Sequence, residues 1–271
     1  MTRSISTVRE LLSEAVDIPL IDAQLILGFV LGCSRSWIIA HDNDVVHEKA
    51  EKQFRGELKR RMLGKPIAYI LGYQEFWSRN FIVDQNTLIP RPETECMVEI
   101  ALEQMPNKPA KVLDLGTGCG AIGITIANER CNWMVIANDL SASALKVAQK
   151  NALDTPNIRF FQGNWGEAVK PSSMNLIICN PPYIEYGDNH LNDLTYEPLD
   201  ALVSSEHGLC DLKQVIKESR KLLVKDGLLA LEHGYHQRNK VCQILVDYGY
   251  KHIQTFDDLG GKPRIILARF Q

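Results

Sequence analysis

Four consecutive residues, Asn180-Pro181-Pro182-Tyr183, combine groups that can do chemistry together. They follow the apolar run Met174-Asn175-Leu176-Ile177-Ile178-Cys179, which has the length of a buried strand, and two prolines in succession end it. Asn180 offers an amide oxygen. Pro181 offers a carbonyl with no N–H of its own to compete for it. Tyr183 adds an aromatic ring. Two acceptors beside a ring suit a flat group carrying an NH2, such as a carboxamide or the exocyclic amine of a base. The plain structural alternative is a strand-ending turn with an ordinary Asn cap.

A second cluster lies upstream, in Leu113-Asp114-Leu115-Gly116-Thr117-Gly118-Cys119-Gly120. Glycines between a strand and a helix let the backbone turn tightly and let a ligand approach main-chain N–H groups. Gly116, Gly118 and Ala121 fit the dinucleotide fingerprint in its G-x-G-x-x-A form, a weak signal alone. Asp139 ends the next strand, where a carboxylate can accept from a ribose diol; capping the following helix is its structural alternative. A dinucleotide wants its pyrophosphate at the helix N-terminus. S-adenosylmethionine has no phosphate, and its ammonium group needs an acceptor by the loop. Asp114, two residues before Gly116, is such an acceptor.

The elements that must hold these residues follow an alternating pattern after Pro109. Strands are expected at Lys111–Leu115, Trp133–Ala137, Ile158–Phe161, Leu176–Cys179, Gly227–Leu231, His252–Phe256 and Ile265–Phe270. Helices are expected from Ala121, over Ala142–Asn151 after a Ser141 cap, over Leu209–Leu223 and around Asn239–Tyr248. Such alternation predicts an α/β domain with a mainly parallel sheet covered by helices on both faces. Before it, Phe76, Trp77, Phe81, Ile82 and Val83 around Asp84-Gln85-Asn86 predict a β-hairpin over 74–90. Leu88-Ile89-Pro90-Arg91-Pro92-Glu93-Thr94-Glu95 then makes an extended turn and opens a helix with negative charge at its start.

Residues 1–73 read as a small helical domain. Thr7 and Glu10 form a capping box, with Val8, Leu11, Leu12, Ala15 and Val16 on one face. Pro19 suits the first turn of the next helix, whose stripe is Ala23, Ile26, Leu27, Val30 and Leu31, and Gly32 closes it. A further helix over Val46–Met62 carries Lys49, Lys52, Arg55, Lys59, Arg60 and Arg61, with Lys65 beyond and only Glu51 and Glu57 offsetting them. That row is either a solvated face or a patch that steers an anionic partner.

Composition narrows the classes. Hydrophobic residues at 45% and charged residues at 23% of 271 positions match a water-soluble globular chain. A net charge of −3 and a pI near 6.2 give no global pull toward nucleic acid or anionic membrane. No apolar run approaches the roughly 20 residues that span a bilayer. The N-terminus Met-Thr-Arg-Ser-Ile-Ser lacks the apolar centre of a secretion signal, so a cytoplasmic location is expected. Seven cysteines with no C-x-x-C pair indicate neither a disulfide framework nor a zinc site. His233 and His236, beside Glu232 and Gly234, lack a third ligand, so no metal is expected there and a strand-end structural role is.

The glycine loop followed by Asn180-Pro-Pro-Tyr183 resembles the class I S-adenosylmethionine-dependent methyltransferases that act on amino groups. With Glu75-Phe-Trp77, Leu88–Glu95 and Leu231-Glu-His-Gly234, the chain is similar nearly end to end to the bacterial release-factor glutamine N5-methyltransferases. The resemblance implies a Rossmann-like catalytic domain over 91–271, a hairpin linker over 74–90 and a substrate-recognition domain over 1–73. It implies that Gly116, Thr117, Gly118, Cys119 and Gly120 hold the methionine part of the cofactor, that Asp139 binds its ribose and that Trp165 packs by its adenine. Asn164 stands where such proteins commonly carry Asp, so it meets the adenine amine through its carbonyl oxygen or not at all. Asn180 touches cofactor and substrate, and Asn180 through Tyr183 grip the substrate glutamine. The implied reaction methylates the glutamine of the Gly-Gly-Gln motif in class I peptide chain release factors, leaving S-adenosyl-L-homocysteine. A monomer with no membrane and no stable nucleic-acid contact goes with it. The rivals are a glutamine methyltransferase of a ribosomal protein and an exocyclic-amine DNA or RNA base methyltransferase. The base methyltransferase usually needs a broad basic surface.

Overall fold

The structure is a computed structural model that describes residues 6–271. Most of the stretch inspected for a secretion signal, residues 1–5, lies outside the described residues. The chain divides into two compact units, Met1–Tyr73 and Gln74–Gln271.

The first unit is helical: α1 (Val8–Ser13), α2 (Leu20–Leu31), α3 (Arg35–Ala40), α4 (Glu48–Met62) and α5 (Ile67–Leu71). Thr7 and Glu10 make both bonds of the capping box, at 3.3 and 2.8 Å. Gly32 closes α2 in the left-handed conformation, φ +68°. Val8, Leu11, Ala23, Ile26, Leu27, Ile38, Phe54 and Leu58 form the core. Two expectations shift and two helices are new. Helix α1 stops at Ser13, so Val16 lies beyond it and is 82% exposed. Pro19 sits at the N-cap of α2 rather than inside its first turn. Helices α3 and α5, six and five residues long, are too short for a hydrophobic period to reveal. On α4, Arg55 pairs with Glu14 and Glu51, Arg60 with Glu57 and Arg61 with Asp22, so three cations of the basic row are answered within the unit.

The hairpin consists of β1 (Tyr73–Phe76) and β2 (Arg79–Ile82). Its turn is Trp77-Ser78, with φ of +53° and +56°, and not Asp84-Gln85-Asn86 as the polar cluster suggests. Two central residues in the left-handed region are the mark of a type I′ turn, which usually advertises itself with Asn-Gly. Asp84 makes its own turn, its Oδ1 accepting the Asn86 N–H at 2.9 Å.

Seven strands form the main sheet: β3 (Lys111–Leu115), β4 (Met134–Asp139), β5 (Ile158–Gln162), β6 (Met174–Cys179), β7 (Leu223–Glu232), β8 (Tyr250–Asp257) and β9 (Pro263–Phe270). Their order is β5-β4-β3-β6-β7-β9-β8, parallel through β7 with β9 antiparallel to both its neighbours. The helices are α6 (Pro92–Gln104), α7 (Ala121–Glu129), α8 (Ala142–Asn151), the single turn α9 (Ser205–Gly208), α10 (Cys210–Leu222) and α11 (Arg238–Asp247). Strand alternation decides what each face meets. Leu113, Leu115, Ile177, Cys179, Leu229 and Leu231 point to the layer of α10 and α11, packing with Leu212, Val215, Ile216, Val241 and Leu245. Asp114 and Glu232 fall on the opposite parity and so face α7 and α6.

The chain runs outward from β3 to β5 and then returns, laying β6 on the other side of β3. That reversal opens a crevice at the carboxyl ends of β3 and β6, where open α/β sheets bind ligands. The pairings Leu115↔Asn138, Leu115↔Cys179 and Cys179↔Leu231 put the ends of β4, β3, β6 and β7 at one level. Gly116, Asp139, Asn180 and Glu232 therefore converge there.

Candidate active site

Two adjoining cavities occupy this crevice. The larger, about 500 Å³, is walled by Gly116, Gly118, Asn138, Asp139, Trp165 and Pro182 among others. The smaller, about 250 Å³, is walled by Arg91, Pro181, Tyr183, Tyr235, His236 and Arg264 among others. Leu88, Asn180 and Ala201 line both. The larger lies within the ~300–1,000 Å³ of small-molecule sites. Asn180 stands at the junction.

On the side of the larger cavity, Gly116 adopts φ +68°, a conformation side chains rarely take, and lies within van der Waals reach of the Trp165 ring, 3.5 Å from an added Cβ. The loop is fixed from outside: the Thr117 N–H donates to the Asn138 carbonyl at 2.8 Å and the Gly118 N–H to Asp139 Oδ2 at 2.8 Å. Asp139 Oδ1 accepts from the Ser141 N–H at 2.9 Å, while Ser141 itself caps α8, so this carboxylate braces the turn and faces the cavity. Its pKa is raised by burial, which these N–H donors oppose. Trp165, half-buried with φ +43°, is anchored by its carbonyl, which accepts from Asn138 Nδ2 at 2.7 Å. Asn164 donates its NH2 to Glu167 Oε1 at 3.1 Å, leaving its own oxygen for any amine that approaches.

The remaining loop residues line neither cavity. Asp114 is fully buried under the loop, its Oδ2 accepting from the Thr117 hydroxyl at 2.5 Å and the Gly123 N–H at 2.9 Å, while Oδ1 has no partner. Burial pushes its pKa up to about 7. Cys119 is buried, its thiol pushed up to about 12 by desolvation, and its carbonyl accepts from Asn151 Nδ2. Gly120 caps α7 at φ +88°.

On the side of the smaller cavity, a buried chain of hydrogen bonds runs behind the Asn-Pro-Pro-Tyr turn. Asn180 Nδ2 donates to Thr94 Oγ1 at 3.2 Å, and the Thr94 hydroxyl donates to Glu232 Oε2 at 2.6 Å. The Tyr183 hydroxyl donates to Glu232 Oε1 at 3.0 Å. Burial raises the pKa of Glu232, opposed by these two donors, and burial together with Glu232 drives Tyr183 well above the usual phenol range. Gln237 Nε2 donates to the Tyr183 carbonyl at 3.0 Å. Arg91 and the Ile89 N–H both bind the buried Glu197, tying the 88–91 wall to the connection after Tyr183.

Thr94, Gln237 and Asn138 are not among the residues singled out for chemistry from the sequence, and Glu232 enters there only beside His233 and His236, with a strand-end structural role expected. Their signals were modest: a carboxylate closing an apolar strand at Glu232 and an amide inside one at Asn138. The connection 184–204, unassigned by pattern, folds into 3-10 turns at Asn189–Asp193 and Leu199–Ala201 and supplies wall to both cavities. Among the described residues, no group of three or more His, Cys, Asp or Glu is arranged to hold a metal ion, and no helix is long and apolar enough to cross a membrane.

Two family models match the chain: the PrmC N-terminal domain over residues 5–72 and the methyltransferase small domain over residues 94–197. A release factor glutamine methyltransferase of Escherichia coli is 40% identical over 268 residues, covering 97% of each chain. One from Coxiella burnetii is 41% identical over 254 residues, covering 93% of this chain and 92% of that one. Among solved structures, a methyltransferase from Pyrococcus furiosus superposes with a TM-score of 0.56 at 17% identity, covering 79% of this chain and 98% of that one. A ribosomal protein L11 methylase from Lactobacillus delbrueckii gives 0.52 at 18% identity, covering 73% and 91%. These two likenesses are of fold: the seven-stranded, mainly parallel sheet is that of methyltransferases.

Proposed function

The chain belongs to the release factor glutamine methyltransferases, and from that premise we propose that it methylates the side-chain amide nitrogen of a glutamine in class I peptide chain release factors, using S-adenosylmethionine. The observation that carries the site assignment is Asn180, which lines both cavities and has its NH2 committed to Thr94. Its amide oxygen is left as an acceptor at the junction.

The residues of the larger cavity fit the cofactor. Asp139 offers a carboxylate to ribose hydroxyls, Trp165 a ring to the adenine, and Gly116 and Gly118 an unobstructed backbone. A buried oxygen without a partner, Asn138 Oδ1, belongs to a residue that lines this cavity and suits a ligand that brings a hydroxyl or amine donor. When bound, S-adenosylmethionine supplies a methyl group on a positively charged sulfur.

What the chain does to the amide follows from its electronic structure. A glutamine nitrogen is a poor nucleophile because its lone pair is delocalised into the carbonyl. Acceptors on its N–H bonds, from Asn180 and the Pro181 carbonyl, favour positive charge developing on nitrogen and orient it for in-line attack. Tyr183 packs against the planar amide. The methylated nitrogen is acidic enough to lose a proton without a dedicated strong base, so no ionisable catalytic residue is required.

The enzyme acts in the cytoplasm as a monomer, without stable binding to nucleic acid. The decisive experiment incubates it with methyl-labelled cofactor and, separately, release factor, ribosomal protein, DNA and RNA. Label on a release-factor glutamine is expected. Label on a nucleic-acid base or a ribosomal-protein glutamine, with none on the release factor, overturns the assignment.

A further inference from the structure

Asn180 can serve as an acceptor only if something holds its amide the right way round. An Asn side chain has one accepting and one donating end of nearly the same shape, and rotation by half a turn exchanges them. If the NH2 faced the substrate amide, donor would meet donor. The bond from Nδ2 to Thr94 prevents this, and it exists because the Thr94 hydroxyl has given its own proton elsewhere. That proton goes to Glu232.

Glu232 is 1% exposed and ends β7 beside β6, the strand that Asn180 follows. A carboxylate is an acceptor only. It therefore forces both hydroxyls that reach it, from Thr94 at 2.6 Å and Tyr183 at 3.0 Å, to act as donors. The Thr94 oxygen must then accept, the Asn180 NH2 must donate, and the Asn180 oxygen must face the cavities. The same carboxylate pins the phenol end of Tyr183 and so the plane of its ring. We propose that Glu232 is a positioning residue for methyl transfer, setting the polarity of the Asn180 amide through Thr94 and the orientation of Tyr183 through its hydroxyl. The proposal rests on Asn180 accepting a proton of the substrate amide.

Glu232→Gln is nearly isosteric and tests it directly. A Gln can accept from one of the two hydroxyls but must present an NH2 to the other. With its NH2 toward Thr94, the Thr94 proton is released and the Asn180 amide turns over; with its NH2 toward Tyr183, the phenol loses its acceptor. The expected result is a fall in kcat on the order of 100-fold. KM for the release factor should stay near the wild-type value, because the loss falls on the reacting geometry. Thr94→Val should lose kcat in the same way and Thr94→Ser should retain it. The double variant Glu232→Gln/Thr94→Val should lose little more than the worse single variant, since without the Thr94 hydroxyl the introduced amide oxygen is free to accept from Tyr183 and the remaining loss falls on Asn180. An independent readout is the 15N signal of the Asn180 side-chain amide, expected to move in Glu232→Gln and Thr94→Val and to stay in Thr94→Ser.

A Glu232→Gln enzyme with unimpaired kcat, or losses that add fully in the double variant, overturns the proposal. Wild-type enzyme that leaves release factor unlabelled would instead remove the functional assignment, and this proposal with it. The two failures are told apart by the wild-type control.

Discussion

Asp114 offers the sharpest physical test of the site. Its carboxyl is fully buried with one oxygen unpartnered, and burial raises its pKa from 3.8 to about 7. Ionising it in the folded protein therefore costs about 4 kcal/mol more than in the unfolded chain. A folded-state pKa above the unfolded one means the native protein binds the proton more tightly. The stability this contributes is complete below about pH 4 and is lost as pH rises through about 7. Asp114→Asn removes the titration while keeping the shape. Its carbonyl oxygen can accept from Thr117 and Gly123, and its NH2 takes the place of the unpartnered Oδ1. Denaturant unfolding of both proteins at pH 5 and pH 8 isolates the term, because Asp139 and Glu232 titrate in both and cancel. Wild type should lose about 2–3 kcal/mol relative to Asp114→Asn between those pH values. A stability difference between the two proteins that is the same at pH 5 and pH 8 would refute the account of a carboxyl held by burial.

Other perturbations address the neighbouring residues. Asn180→Ala should lower kcat by about 10²–10³ while cofactor affinity, measured by calorimetry, survives at least in part; near-normal turnover would sink the acceptor role. Trp165→Ala should weaken cofactor binding by about 1–3 kcal/mol if its ring stacks on a base, and an unchanged Kd would leave it a core aromatic. Gly208→Ala places a Cβ 2.1 Å from the Tyr183 carbonyl at φ +78°, so thermal unfolding should show a loss of about 2 kcal/mol or more, accompanied by reduced kcat. Gly187→Ala, at φ +86° with nothing within 4 Å, should cost only about 1 kcal/mol and serves as the comparison.

The legible part of the fold is the part where local pattern and tertiary environment agree. The strand Lys111–Leu115 and the helix Ala142–Asn151 behind its Ser141 cap stand where the pattern puts them, because burial on a regular period is what specifies them. The hairpin was visible as a hairpin and its turn was not. Trp77 and Ser78 adopt left-handed φ without the Asn or Gly that announces it, and tertiary bonds compensate: the Trp77 N–H reaches Glu95 at 2.8 Å and its indole reaches Glu129 at 2.9 Å. Strand β7 begins at Leu223, not Gly227, because Met174 pairs with Leu223 across a register shift that no periodicity could foretell.

The same division runs through the site. Asn180, Pro181 and Tyr183 declare an acceptor pair beside a ring because those functions belong to residue types, and so does the carboxylate of Asp139. Whether Asn180 accepts or donates does not belong to its type. That sign is decided by Thr94, 86 residues earlier, and by Glu232, 49 residues beyond Tyr183, meeting where α6 and β7 bring them together. Nor does the turn distinguish a glutamine amide from a base amine, since both present an sp2 NH2. Discrimination is left to the walls around it, which include Leu88, Arg91, Ala201, Tyr235 and Arg264. None of these is near Asn180 in sequence, and Arg91 is paired with Glu197, itself far from the turn's own residues. The chemistry of the motif is local, while its polarity and its choice of substrate are properties of the fold.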